Sequence, residues 1–224
     1  MTRKSSNLST KTVARVAGFL GLLVLICGST THTINSEIID LSNDIGTASN
    51  FHTFEAKYRL GFVCGLLMET IFIFYAFLLY YLLQVVNKDV AKLMLLLALI
   101  PAPIFFTNQL NHFASFLVSS QDTEQMIHYL KLHQHGGFII SIFFGLWLFP
   151  LGYLVYQSTF LPKMLGILLM IGCFGYLISF FQGFLFPNQI RTLWTNPALV
   201  VTHLAEIGFM FWLLIMGVET FSKH

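Results

Sequence analysis

The stretch Leu60-Gly61-Phe62-Val63-Cys64-Gly65-Leu66-Leu67-Met68-Glu69-Thr70-Ile71-Phe72-Ile73-Phe74-Tyr75-Ala76-Phe77-Leu78-Leu79-Tyr80-Tyr81-Leu82-Leu83-Gln84 decides the fold. It is long enough to cross a bilayer as a helix, which needs roughly 20 mostly apolar residues. Within it Glu69 is the one acidic residue. Five further stretches have the same character: Val13–Thr33, Leu93–Val118, His133–Gln157, Met164–Leu185 and Ala198–Val218. Strands are excluded, because an open sheet edge in hydrocarbon leaves backbone groups without partners. The expectation is an all-α integral membrane protein, a six-helix bundle forming a single transmembrane domain.

Composition agrees. Of 224 residues, 56% are hydrophobic and 10% charged, against about 25% charged in soluble domains. The mean hydropathy is +0.74. A net charge of +2 gives no reason to invoke nucleic acid as a partner; the partner implied is the lipid bilayer. Cys27, Cys64 and Cys173 each fall in an apolar segment without ligand spacing, and read as small packing residues. The longest connection, Ile34–Arg59, is too short for a soluble domain, though Glu37–Leu41 could form a short interfacial helix.

Basic residues set the orientation. With the N-terminus inside, Arg3, Lys4, Lys11, Arg15, Lys88, Lys92, Lys163 and Lys223 are inside, and Lys57, Arg59, Lys131 and Arg191 outside. The excess on one side predicts N-in and C-in. The expected location is a bacterial cytoplasmic (inner) membrane. Aromatic residues near the segment ends form two belts, Tyr58, Tyr129 and Trp194 outside and Tyr80, Tyr81, Tyr153 and Tyr156 inside.

Several local signals bear on single segments. The basic start and the apolar run before Gly28-Ser29-Thr30 resemble a signal peptide; its removal would leave five spans. Pro101 and Pro103 predict a break or kink in the third span, and Pro150 one in the fourth. Phe186-Pro187-Asn188 and Thr195-Asn196-Pro197 read as turns. A faint echo links Pro101-Ala102 and Thr107-Asn108-x-x-Asn111 with Pro197-Ala198 and Thr202-His203-x-x-Glu206. An inverted repeat would produce it, and so would chance between short apolar segments.

Polar side chains inside the spans point to the site. They are Glu69, Asn108, Asn111, His112, His133, His135, Gln182, His203 and Glu206, all towards the outer face. Such groups are costly in hydrocarbon, so they face a bundle interior, a partner or water. His203 and Glu206 share a helix face at i, i+3, as do Asn108, Asn111 and His112, whereas His133 and His135 diverge.

Three readings follow. A small ligand or ion could bind in a polar cavity in the outer half, in a possible carrier, with Glu69 and Glu206 protonatable and Asn108, Asn111, His112, His135, Gln182 and His203 around them. His112, His203 and Glu206 could hold zinc, or the two histidines a haem, in a membrane enzyme or electron carrier. Finally, the same groups could be hydrogen-bonding glue in a non-catalytic assembly or regulatory protein. No nucleophile elbow or phosphate loop is present to favour an enzyme.

One run has a family likeness: Phe144-Gly145-Leu146, then Leu151-Gly152-Tyr153-Leu154-Val155, then Ser158-x-Phe160-Leu161-Pro162-Lys163-x-Leu165-Gly166. With Ala14-Arg15-Val16-Ala17-Gly18, Tyr58-Arg59-Leu60-Gly61, Leu132-His133, Glu206 and Leu213-Leu214-x-x-Gly217-Val218, it resembles the bacterial membrane family known as domain of unknown function 4386. The resemblance covers nearly the whole chain. It implies a multi-span membrane protein and carries no activity with it. It also implies an acidic residue where Glu69 stands and a bulkier polar residue or Tyr where His135 stands, which argues against a family-wide role for His135. Physically, Phe160-Leu161-Pro162-Lys163 reads as a turn, with Pro162 starting the next helix and Lys163 meeting anionic headgroups.

Overall fold

The computed structural model describes residues 9–186 and 196–218. Among the described residues there are nine helices and no strand: α1 (Thr10–Ile38), α2 (Asp44–Thr53), α3 (Glu55–Leu83), α4 (Lys88–Leu99), α5 (Pro101–Val118), α6 (Thr123–Leu146), α7 (Leu148–Gln157), α8 (Lys163–Leu185) and α9 (Pro197–Ile215). They make six spans long and apolar enough to cross a membrane: α1, α3, α4 with α5, α6 with α7, α8 and α9. The six-helix membrane bundle read from the sequence is therefore the fold. Arg3, Lys4, Lys223, Arg191, Trp194 and the Pro187-Asn188 turn lie outside the described residues.

The third and fourth spans are each interrupted. Helix α4 ends at Leu99 and α5 begins at Pro101. Without an N–H, Pro101 and Pro103 cannot donate to the carbonyls of Leu97 and Leu99. Pro150 likewise leaves the carbonyl of Leu146 without its usual donor, and α6 ends at that residue. Both breaks fall where the prolines predict them.

Helix ends run beyond the apolar windows. Asp122 caps α6, its side chain accepting from the Gln125 amide at 2.9 Å, and ten residues that read as connection become helix. They do so because Met126, Ile127 and Leu130 find a core of their own with Ile34, Ile38, Phe51 and Tyr58. Helix α3 also starts early, at Glu55. The short helix expected at Glu37–Leu41 lies further on, as α2, capped by Asn43 onto the Gly46 amide at 2.9 Å. Thr47 fixes the corner before it, its hydroxyl accepting from the Asp40 amide at 2.9 Å and donating to the Asp40 carbonyl at 2.8 Å. Tyr58, expected in an aromatic belt, is 1% exposed and belongs to this second core. Tyr81, Tyr153 and Tyr156 are exposed, as belt residues should be.

Close approach of backbones holds the main bundle. Gly152 on α7 faces Gly166 on α8; a Cβ on Gly166 would sit 2.6 Å from the Tyr156 amide nitrogen and 2.7 Å from the Gly152 carbonyl oxygen. A Cβ on Gly18 of α1 would collide with the backbone of α9 at Leu214. Small residues at such contacts let helices meet where lipid supplies no hydrophobic drive. Gly28-Ser29-Thr30 lies inside α1, which packs along α3 and α9. At the α7–α8 turn Pro162 is the cap of α8 and Lys163 lies over the Tyr156 ring, 5.8 Å from its centre. The fourth span is the most enclosed, with 50% of its apolar window inside, and it carries one wall of the site.

Candidate functional site

Glu69 is the midpoint of α3 and Glu206 the midpoint of α9. Because α3 starts before Leu60, Glu69 lies about 21 Å from its first residue, at the rise of roughly 1.5 Å per residue. Each carboxylate is thus carried at the middle of its helix.

Both line a cavity of about 330 Å³ between α1, α3, α6, α8 and α9. Glu69 is fully buried, and neither of its carboxylate oxygens has a hydrogen-bond partner. Trp147, at the α6–α7 break, is 2% exposed, and its indole N–H is also unpartnered. Glu206 has one partner, the Tyr176 hydroxyl, which donates to it at 3.2 Å. His203 donates from Nδ1 to the Leu199 carbonyl at 2.7 Å, and Nε2 is then the acceptor of the neutral ring. Phe72 and Phe144 complete the aromatic wall, and His32 and Ser29 lie at the edge on α1.

A second space of about 290 Å³ adjoins the first and shares Gly28, His32, Met68 and Phe144 with it. Asn108, Gln109 and His133 line it. Here the polar groups are largely used up. The Asn108 amide donates to the His133 carbonyl at 2.9 Å, and His133 Nδ1 donates to the Asn108 carbonyl at 3.2 Å. Asn111 donates to Asn108 Oδ1 at 3.3 Å. A Cβ on Gly136 would collide with the Asn108 side-chain amide, so this glycine lets α5 and α6 meet.

His112 lies behind His133. The two rings stack at 4.5 Å with planes 18° apart, and the Tyr58 ring meets His112 edge-on at 5.2 Å. The Tyr58 hydroxyl donates to the His112 carbonyl at 2.9 Å. His112 is 1% exposed, its Nδ1 lies 3.4 Å from Gln109 Oε1, and Nε2 has no partner.

The structure brings Glu69, His203 and Glu206 together and keeps His112 apart from them, among α3, α5 and α6. Among the described residues no group of three or more His, Cys, Asp or Glu side chains is placed to hold a metal ion. Helix α5 packs on α6 while α9 packs on α8 and α1, which is why the trio of His112, His203 and Glu206 does not converge. His135 is exposed and meets Phe138 edge-on at 5.9 Å. Gln182 is half-buried on α8 and lines neither space. His32, Gln109, Trp147 and Tyr176 escaped the sequence reading. Gln109 sits inside the polar run 107–112 and could have been found; the two aromatics carry no signal that separates them from packing residues.

Six apolar spans define a multi-pass integral membrane protein. The chain belongs to the family Domain of unknown function (DUF4386), which it matches over residues 16–217. It is also similar to an uncharacterized protein of Archaeoglobus fulgidus, 34% identical over 139 residues, covering 62% of this chain and 72% of that protein. No solved structure matches it.

Proposed function

We propose that the protein binds a small ligand or ion at the cavity between α1, α3, α6, α8 and α9, as a carrier of the cytoplasmic membrane with both termini inside. One observation carries the reading: a fully buried Glu69 whose two carboxylate oxygens lack hydrogen-bond partners at the wall of a cavity. A buried polar group left unpaired costs about 1–3 kcal/mol, a cost that a bound ligand would relieve. The volume of about 330 Å³ fits the lower end of small-molecule pockets, roughly 300–1,000 Å³. Ser29, His32 and His203 are exposed at its edge and give a ligand a polar path inwards.

A second reading, a non-catalytic assembly protein, is favoured by Asn108 and His133, which spend their hydrogen bonds on each other. Glu69 separates the two. The test is a thermal-shift and uptake screen of cationic, anionic and neutral small molecules on protein in lipid nanodiscs and liposomes. The binding reading expects at least one compound to stabilise or enter with the wild type and to lose that effect with Glu69→Gln. If no compound distinguishes the two proteins, the assembly reading replaces it.

A further inference from the structure

Resting on that reading of the cavity, we infer that its ligand is a small organic cation, a protonated amine carrying a hydrocarbon body. The two carboxyl groups, Glu69 and Glu206, face the cavity, and among the described residues no Lys or Arg lines it. An anion entering there would meet two acids and no permanent positive charge. A neutral ligand could donate to Glu69 but would leave any ionised carboxylate in hydrocarbon without a counter-charge, which is the costly state.

A bare metal ion fits the walls poorly. Hard cations want six or more oxygen ligands, and among the described residues no cluster of metal-type side chains forms. The walls are instead the rings of Phe72, Phe144, Trp147 and Tyr176. Aromatic faces attract an ammonium group through the ring quadrupole, and more strongly once water is excluded.

The donor and acceptor pattern selects an amine over a quaternary ammonium. A primary ammonium has three N–H donors. The unpartnered oxygens of Glu69 are acceptors, and so is Nε2 of a neutral His203 ring. The same rings that hold the charge cover the ligand's hydrocarbon part, with Met68 and Met210 beside them.

The test uses three probes that share one body: 2-phenylethylamine as the cation, 2-phenylethanol as the neutral form and phenylacetate as the anion. Each is titrated against the full chain in lipid nanodiscs, with protein unfolding temperature as the readout, for wild type, Glu69→Gln and Glu206→Gln. The amine should shift the transition saturably, and the alcohol and the anion should need at least about tenfold higher concentration, the scale of one lost charge-assisted hydrogen bond. Glu69→Gln should weaken the amine by a similar factor, and Glu206→Gln guards against loss of fold in the first variant. Equal or stronger binding of the alcohol or the anion overturns the inference, as does an amine shift that survives both substitutions. A Glu69-dependent anion or neutral compound in the wider screen would sink this inference while leaving the cavity reading standing; no Glu69-dependent compound at all would sink both.

Discussion

Asn108 and His133 bind each other twice across the α5–α6 contact, amide to carbonyl in one direction and ring nitrogen to carbonyl in the other. The pairing ties each side chain to the backbone of the other helix. Interhelical hydrogen bonds in membranes contribute about 0.6 kcal/mol on average and up to about 1.7. Asn108→Ala removes one of the two bonds and the contact with Asn111. It should lower stability by about 0.6–1.7 kcal/mol in reversible detergent unfolding. A variant indistinguishable from wild type would mean that the pairing is incidental.

Glu69 should behave in the opposite way. Its carboxylate makes no hydrogen bond inside the protein, so Glu69→Met removes an unpaired buried group rather than an interaction. Such a group costs about 1–3 kcal/mol. The variant should be as stable as wild type or more so in the same unfolding assay, while ligand-dependent stabilisation disappears. A clear loss of stability would show that Glu69 has a structural partner.

His112 offers a test of the histidine pair. Its ring is stacked on His133 and Tyr58 packs against it edge-on, with Nε2 unpaired. Phenylalanine keeps the ring contacts and drops the unpaired nitrogen, so His112→Phe should leave stability unchanged or raised, and the absorption spectrum of the purified protein unaltered. His112→Ala should cost about 3–5 kcal/mol, as truncation of a buried ring does. An absorption band or a bound metal lost in His112→Phe would return the metal and haem readings to consideration.

Gly166 tests the family run of residues around the α7–α8 turn. A Cβ there meets backbone atoms of Tyr156 and Gly152 that cannot rotate away. Gly166→Val should cost about 1–3 kcal/mol from overpacking, or more if the helices must separate. The folded fraction recovered after detergent extraction should fall accordingly. Gly137, with nothing within 4 Å of its would-be Cβ, is the control and should accept alanine without loss.

The bundle was legible because hydrocarbon imposes helix on every long apolar run, and Pro101, Pro103 and Pro150 announce their breaks by chemistry alone. The site was only half legible. Glu69, His203 and Glu206 meet because α3 and α9 both flank α1, a neighbour relation that spacing along one chain cannot encode. His112 was misplaced for the same reason: its depth matched that of His203, but α5 turns it towards α6. Tyr58 looked like a headgroup anchor because it stands near a segment end, and it is the start of α6 at Thr123 that brings Met126, Ile127 and Leu130 into the core burying it. Trp147 and Tyr176 are silent in sequence, since an aromatic residue facing a cavity reads like one facing lipid.

The two proline-linked breaks stand at similar heights, about 18 Å along α4 and about 15 Å along α7 at 1.5 Å per residue from the side opposite α2. Helix α4 packs on α7 below them and α5 on α6 above. The molecule is therefore articulated at one level, with an upper pair riveted by Asn108 and His133 over a lower pair. A tilt of that upper pair about the two joints would change the gap beside Trp147 and Phe144. Pro101, Pro103 and Pro150 supply no donor at that level, so a tilt there strains fewer ladder bonds than one elsewhere in either span, with Ile100 to Leu96, Trp147 to Phe143 and Leu151 to Trp147 still crossing the joints.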